Sequence, residues 1–315
     1  MTQQTALAYQ ECRAIARREA KNFYYAFLAL PRSKSDAMCA IYAFMRKADD
    51  LSDDESISIP ERRVAMQRWL DEWRAVRSGG HTTDSIFLAV GDTQQRFAIS
   101  DELLEKLVQG TTMDLQEVTP GVSQYRLHDG RTMQVYESFG DLYGYCYLVA
   151  SVVGLVCIRI FGYSDPRAEK FAEETGIAFQ LTNILRDVRE DTERGRIYLP
   201  LDDLRQQGTT VEELLSAQRS PQSVPLQSPS VAALLQFEID RAQTYYRASD
   251  DLIPLLDADS RAAMQVLSGI YRTLLDRIAH DPAQVFRSRV SVPTHVKLRL
   301  LLGGLGRTLL HRAVA

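Results

Sequence analysis

The chain has 315 residues, of which 25% are charged and 45% hydrophobic, with only 17 Gly and 11 Pro. That balance excludes collagen-like, low-complexity and disordered classes, and the length suffices to bury a sizeable core. A formal net charge of −4 argues against a general nucleic-acid binder.

In chain order, the start MTQQTALAYQECRAIARREA is polar and charged, unlike a signal peptide or membrane span. Met38, Ile41, Tyr42 and Met45 then recur at helical spacing. Similar periodicity runs through 61–76, 101–109, 139–161, 167–191, 231–248 and 260–279, and little of the chain alternates as a strand would. The most apolar run, Tyr145 to Gly162, is interrupted by Arg159 and reads as a buried helix. Residues 205–230, with Pro221, Pro225 and Pro229, read as a surface loop carrying at most a short helix in Thr-Val-Glu-Glu-Leu-Leu. The tail, 291–315, is basic and leucine-rich. It reads either as a last helix docked on the core or as a reversible interfacial contact at a membrane surface. Cys12, Cys39, Cys146 and Cys157 show neither CxxC pairing nor metal-finger spacing, as in reduced thiols of a cytoplasmic protein. The expectation is one all-α domain over 1–315.

Two acidic clusters stand out because local stability does not favour them. In MRKADDLSDDE, Asp49 and Asp53 lie at i and i+4, with Asp50 and Asp54 beside them. Like charges at that spacing cost about 0.2–0.5 kcal/mol per pair, and a helix C-terminus prefers cations. A helix ending early in a solvated acidic loop is the plain alternative. In the second cluster, Asn183, Asp187 and Asp191 fall at i, i+4 and i+8, successive members being offset by about 40° on one helix edge. Leu181, Ile184, Leu185 and Val188 fill the neighbouring faces. An amide oxygen and two carboxylates suit Mg²⁺, which completes its shell with water and substrate phosphate. Arg46 and Lys47 precede the first cluster, and Arg186, Arg189, Arg194 and Arg196 surround the second. They serve as salt partners or as phosphate forks.

These motifs resemble the squalene/phytoene synthase family. The resemblance rests on Asp49-Asp-Leu-Ser-Asp53 and on Asn183-Ile-Leu-Arg-Asp187-Val-Arg-Glu-Asp191 continuing into Arg196-Ile-Tyr-Leu-Pro200. It also rests on Tyr145-Cys-Tyr-Leu-Val-Ala-Ser-Val-Val-Gly154 and Asn22-Phe-Tyr-Tyr-Ala-Phe-Leu-Ala-Leu-Pro31, so that it spans roughly residues 10 to 290. It implies an all-α isoprenoid-synthase fold with a central cavity, in which two prenyl diphosphates are joined head to head with diphosphate release. By residue-wise match, Asp49, Asp53, Asn183, Asp187 and Asp191 would bind Mg²⁺, and Tyr145 would assist proton removal or hold diphosphate. Arg46, Arg186, Arg196, Tyr198, Tyr271 and Arg289 would contact diphosphate; Phe23, Tyr42, Val149, Ala150, Gly154 and Gln180 would line the cavity. Phe23, Tyr42, Phe44 and Tyr145 are the aromatic candidates for steadying a carbocation, each also an ordinary core residue. One departure lies in Ala20-Lys21-Asn22, where family members often carry small hydroxyl residues. Lys21 or Asn22 would replace a hydroxyl contact there, or the contact is absent.

The run from Tyr145-Cys-Tyr to Arg159-Ile-Phe-Gly162 resembles the bacterial presqualene diphosphate/squalene synthase branch. The expected substrate is therefore farnesyl diphosphate, with geranylgeranyl diphosphate and phytoene as the alternative. Reductive formation of squalene would also need NADPH. Leu302-Gly-Gly-Leu-Gly306 follows no predicted strand and is no dinucleotide fingerprint, yet the resemblance leaves NADPH use open. A di-iron bundle would need Glu-x-x-His pairs, and none occurs. A non-enzymatic helical scaffold would leave the acidic edges as mere surface.

Overall fold

The computed structural model describes residues 2–116, 119–219 and 228–314. The helices are α1 (Gln3–Glu19), α2 (Lys21–Phe27), α3 (Arg32–Ser52), α4 (Ile59–Arg77), α5 (Ser85–Arg96), α6 (Asp101–Thr112) and α7 (Phe139–Cys146). After a π turn at Tyr147–Ser151 follow α8 (Val152–Phe161), α9 (Arg167–Glu193), α10 (Leu201–Gln206) and α11 (Val211–Arg219). The last are α12 (Pro229–Leu252), α13 (Arg261–His280), α14 (Gln284–Arg287) and α15 (Thr294–Val314).

Helix α3 starts after Pro31, and Ala37, Ala40, Ala43 and Ala48 bury its small side against α1, α5 and α6. It runs through Asp49 and Asp50 to Ser52, so the acidic residues do occupy its last turn. Helix α4 opens on a Ser58/Glu61 capping box, and its Trp69 and Trp73 pack on Phe44 and Phe87. Phe44 thus belongs to that core cluster and not to a cation-holding wall. At the centre lies α9, with α8, α12 and α13 packed around it. Its buried residues, from Ala172 and Ile177 to Leu181, Leu185 and Val188, spread over more than one face, as an enclosed helix requires.

The expected all-α class holds, with one addition. A hairpin of β1 (Val122–Arg126) and β2 (Thr132–Tyr136) turns at Gly130, whose φ is +88°, and β2 pairs in parallel with β3 (Arg196–Ile197). The Gln134↔Arg196 and Val135↔Ile197 register fixes the chain leaving the second acidic cluster.

Within 205–230 the short helix expected in Thr-Val-Glu-Glu-Leu-Leu is present as α11, and it is more buried than a surface loop requires. Helix α11 buries Val211, Leu214, Leu215 and Ala217, and Pro229 opens α12. The apolar pattern at 211, 214, 215 drives that burial, while residues 220–227, with Pro221 and Pro225, lie outside the described residues. The tail forms α15, packed on α13 and α2. Gly304 sits close to α13, where an added Cβ would come within 3.0 Å of Val266 Cγ2, so this glycine serves helix packing. Leu298 and Leu302 on its outer side are exposed. Phe139–Phe161 is apolar and long enough to cross a membrane by composition alone, but it packs against α6 and α9. All four cysteines are free thiols.

Candidate active site

Helices α2, α3, α8, α9 and α13 enclose a cavity of about 420 Å³. Arg46 and Asp49 from α3 and Asn183 and Arg186 from α9 line its polar end. Phe23, Tyr42, Val149, Ala150, Gly154 and Gln180 line it as well. The π turn presents Val149 and Ala150, and glycines on both sides make room for it. A Cβ at Gly110 would lie 2.5 Å from Leu148 O, and one at Gly176 would lie 2.6 Å from Ser151 Cα. Gly154 has a packing reason of its own, since its Cβ would meet Ala172 O at 2.9 Å.

Tyr271 lines the cavity as well, while the remaining sequence candidates lie outside its lining. Asp53 caps α3 and is exposed. Asp191, Arg196 and Tyr198 line a small adjoining pocket. Tyr145 donates to the Tyr198 hydroxyl at 3.4 Å, and the two rings pack at 4.9 Å. Tyr136, which the sequence reading missed, stacks on Tyr198 with centroids 5.8 Å apart and 23° between planes. It stands at the end of β2, so the hairpin braces the tyrosine pair. Lys21's side chain lies outside the described residues, whereas Asn22 lines the cavity.

Electrostatics mark the two acidic edges. Burial pushes the Asp49 carboxyl up to about 7, assisted by Asp53 and Asp50, with Arg46 opposing. Burial likewise raises Asp191 to about 7, with Asp187 adding to the rise and Arg196 and Arg194 resisting it. Asp187 is differently placed. Arg186 donates to both its oxygens, and Arg289 reaches it at 3.2 Å. Arg46 pairs with Asp50 at 2.7 Å. Among the described residues no three acidic, His or Cys side chains converge in a ready-made metal cage.

The residues nevertheless suit a divalent cation. Asn183 Oδ1 is buried and accepts no hydrogen bond among the described residues. It shares an edge with Asp187 and Asp191, whose repulsion a cation would relieve. Such a hard-oxygen set fits a hard metal.

Beyond the polar end, the walls are apolar and aromatic. Phe179 stacks on Tyr271 at 4.4 Å and 12°, and Phe23 packs on the same ring at 6.0 Å. Phe179 was not singled out in the sequence, since an aromatic residue in an apolar helix carries no distinguishing signal. A partly open apolar cavity with acid and arginine at one end suits a lipid tail bearing a diphosphate. The chain matches the squalene/phytoene synthase family over residues 16–295.

The chain belongs to the squalene/phytoene synthase family. Members join two prenyl diphosphates head to head and use divalent metal to bind them, and this chain is a prenyltransferase of that type. It is 35% identical over 291 residues to a phytoene synthase of Mycobacterium tuberculosis, covering 90% of this chain and 86% of the relative. It is 34% identical over 308 residues to the 15-cis-phytoene synthase of Synechococcus elongatus, covering 92% and 90%. Among solved structures, a ligand-bound dehydrosqualene synthase superposes with a TM-score of 0.78 at 28% identity, covering 97% of this chain and 98% of the other. The squalene synthase HpnC from Alicyclobacillus acidocaldarius gives a TM-score of 0.74 at 25% identity, covering 91% and 97%. These neighbours share the isoprenoid-synthase helical fold.

Proposed function

We propose that the enzyme condenses two geranylgeranyl diphosphates to phytoene in the presence of Mg²⁺. The observation that carries the chemistry is a single apolar cavity whose polar end takes Asp49 from one helix and Asn183 from another. The C20 substrate is favoured over the farnesyl diphosphate expected from the Tyr145–Gly162 run because the curated relatives cited above are phytoene synthases.

Asp49 and Asp53 on one edge, and Asn183, Asp187 and Asp191 on the other, would hold Mg²⁺, which neutralises the leaving diphosphate when bound. Arg186 and Arg289 exchange Asp187 for phosphate oxygens, and Arg46 exchanges Asp50. Loss of the first diphosphate leaves an allylic cation, which the ring faces of Phe23, Phe179 and Tyr271 would steady. The dry walls keep water from quenching it. The second substrate's double bond attacks, and a proton leaves to close a cyclopropane. The Tyr145–Tyr198 hydroxyl pair receives that proton and passes it to departing diphosphate. A second diphosphate loss, rearrangement and proton loss complete phytoene. No hydride enters, so this route needs no NADPH.

The test is competition between farnesyl and geranylgeranyl diphosphates with purified protein and Mg²⁺, without NADPH. A C40 hydrocarbon with a central conjugated triene as main product supports the reading. A C30 product in majority overturns the substrate assignment, and no diphosphate release from either overturns the catalytic one.

A further inference from the structure

Lys34 lies in the first turn of α3, where a cation opposes the helix dipole, yet its side chain is only 13% exposed. Its ammonium donates to Phe161 O at 2.7 Å, Asp259 Oδ1 at 2.7 Å, Ser260 Oγ at 3.0 Å and Asp257 Oδ2 at 3.2 Å. Ser260 Oγ also donates to Phe161 O at 2.8 Å, closing the cluster. None of the aspartates, arginines or tyrosines assigned above takes part in it.

The position of this knot gives it meaning. Phe161 lines the cavity, and its carbonyl meets Lys34 at the start of α3, whereas Asp49 stands near that helix's end. Met38, one turn along α3 from Lys34, lines the same cavity, as does Met264, one turn along α13 from Ser260. One ammonium therefore ties together the ends of the three helices whose side chains floor the cavity. Helix α3 also carries Asp49, so it spans from the floor to the diphosphate end: Met38 stands eleven residues before Asp49, about 16 Å of helical rise. Movement of the α8 end or of the α13 start would deepen the channel, and Lys34 binds both to α3. Gly162, at φ +77°, lets the chain turn sharply beside Asp257, where any Cβ would collide with the carboxylate.

We propose that Lys34 is a specificity-determining positioning residue, whose ammonium fixes the cavity floor and so sets the longest prenyl tail the enzyme accepts. The proposal rests on the prenyl-condensing function above, but not on which chain length the wild type prefers.

The test compares kcat/KM for farnesyl, geranylgeranyl and geranylfarnesyl diphosphates in wild type, Lys34→Met, Lys34→Arg and the double variant Lys34→Met/Asp259→Asn. Releasing the floor in Lys34→Met should raise the C25-to-C20 ratio at least fivefold, mainly through KM, with Lys34→Arg within twofold of wild type. The double variant leaves no unpaired charge at Asp259 and should show the same shift, which serves if the single variant fails to fold. Asp259→Asn alone keeps the lysine's bonds to Phe161 O, Ser260 Oγ and Asp257, so it should move the ratio less than Lys34→Met does. A general loss of stability lowers all three substrates alike and leaves the ratio unmoved. A ratio within twofold of wild type in every folded variant overturns the proposal. A wild type that prefers the C15 substrate overturns only the C20 reading, and one that turns over none of the three overturns the function and the proposal with it.

Discussion

Arg289 Nη2 lies 3.2 Å from Asp187 Oδ1, bringing an arginine between α14 and α15 onto the middle residue of the second acidic edge. The same guanidinium reaches Glu190 at 3.3 Å. On the proposed metal assignment, a metal ion and Arg289 would compete for Asp187, and diphosphate would relieve the competition by giving the arginine another partner. Arg289 is 53% exposed, so its pair with Asp187 contributes at most about 1 kcal/mol. Arg289→Ala is expected to tighten Mg²⁺ binding to the substrate-free enzyme by roughly two- to fivefold while raising KM for the prenyl diphosphate. Calorimetric titration and initial-rate kinetics check both. Weaker metal binding would contradict the competition.

A second expectation concerns pH. Asp49 and Asp191 both sit at about 7, raised by burial and like charge. Between roughly pH 4 and 7 the folded chain therefore keeps protons that the unfolded chain has lost. Stability from these groups is fully present below pH 4 and is lost as pH rises through 7. The Tm of metal-free protein should fall from pH 5 to 8, and saturating Mg²⁺ should remove most of that fall, because the cation replaces the protons. Scanning calorimetry with and without Mg²⁺ measures this; a metal effect on Tm independent of pH would contradict it.

The buried cluster behind α7 behaves differently. Arg241 donates to Asp203 at 2.6 Å and to Glu238 at 2.9 Å, placing one cation between two carboxylates. Burial raises Glu238 to about 8, with Arg241 opposing and Asp203 adding to the rise. A proton on Glu238 leaves the cluster neutral, and its stabilisation is lost as pH rises through 8. Glu238→Gln should lose less stability than wild type as pH rises from 6 to 9, with no response to Mg²⁺. Arg241→Met should cost about 3–5 kcal/mol, since it strands two buried acids. Urea unfolding at the two pH values reads both.

Tyr145 and Tyr198 meet through their hydroxyls, so Tyr145→Phe removes chemistry while keeping the ring. Turnover should drop by about 10²-fold or more, as for loss of an acid–base group, with Tm little changed. Measuring kcat and Tm together separates this from a packing defect. A Tyr145→Phe enzyme at wild-type kcat would remove the hydroxyl from the proton path.

Much of this architecture is legible in the sequence because helical periodicity and i, i+4 acids obey local rules. Asp49 and Asp53, and Asn183, Asp187 and Asp191, stand out because they violate local stability. The hairpin was passed over even though Val-Ser-Gln-Tyr-Arg and Thr-Met-Gln-Val-Tyr flank an Asp129-Gly130 turn. Both strands are short, and their register depends on pairing with Arg196, far along the chain. Helix α11 was underestimated because the surrounding Gln, Ser and Pro outweighed its brief apolar stripe. Phe179 and Lys34 carry no local signal; tertiary contact with Tyr271 and with the α8 end gives them significance. Asp187's arginine partners illustrate the same limit, since Arg186 is its neighbour in sequence but Arg289 is not.

The most direct test of the account is diphosphate release from geranylgeranyl diphosphate by wild type, Asp49→Ala and Asp187→Ala with Mg²⁺, with helicity monitored by circular dichroism. The account predicts wild-type release with a C40 product, and loss of release in both variants at unchanged helicity. Full activity in either variant would contradict the claim that two acidic edges on α3 and α9 act together on the substrates.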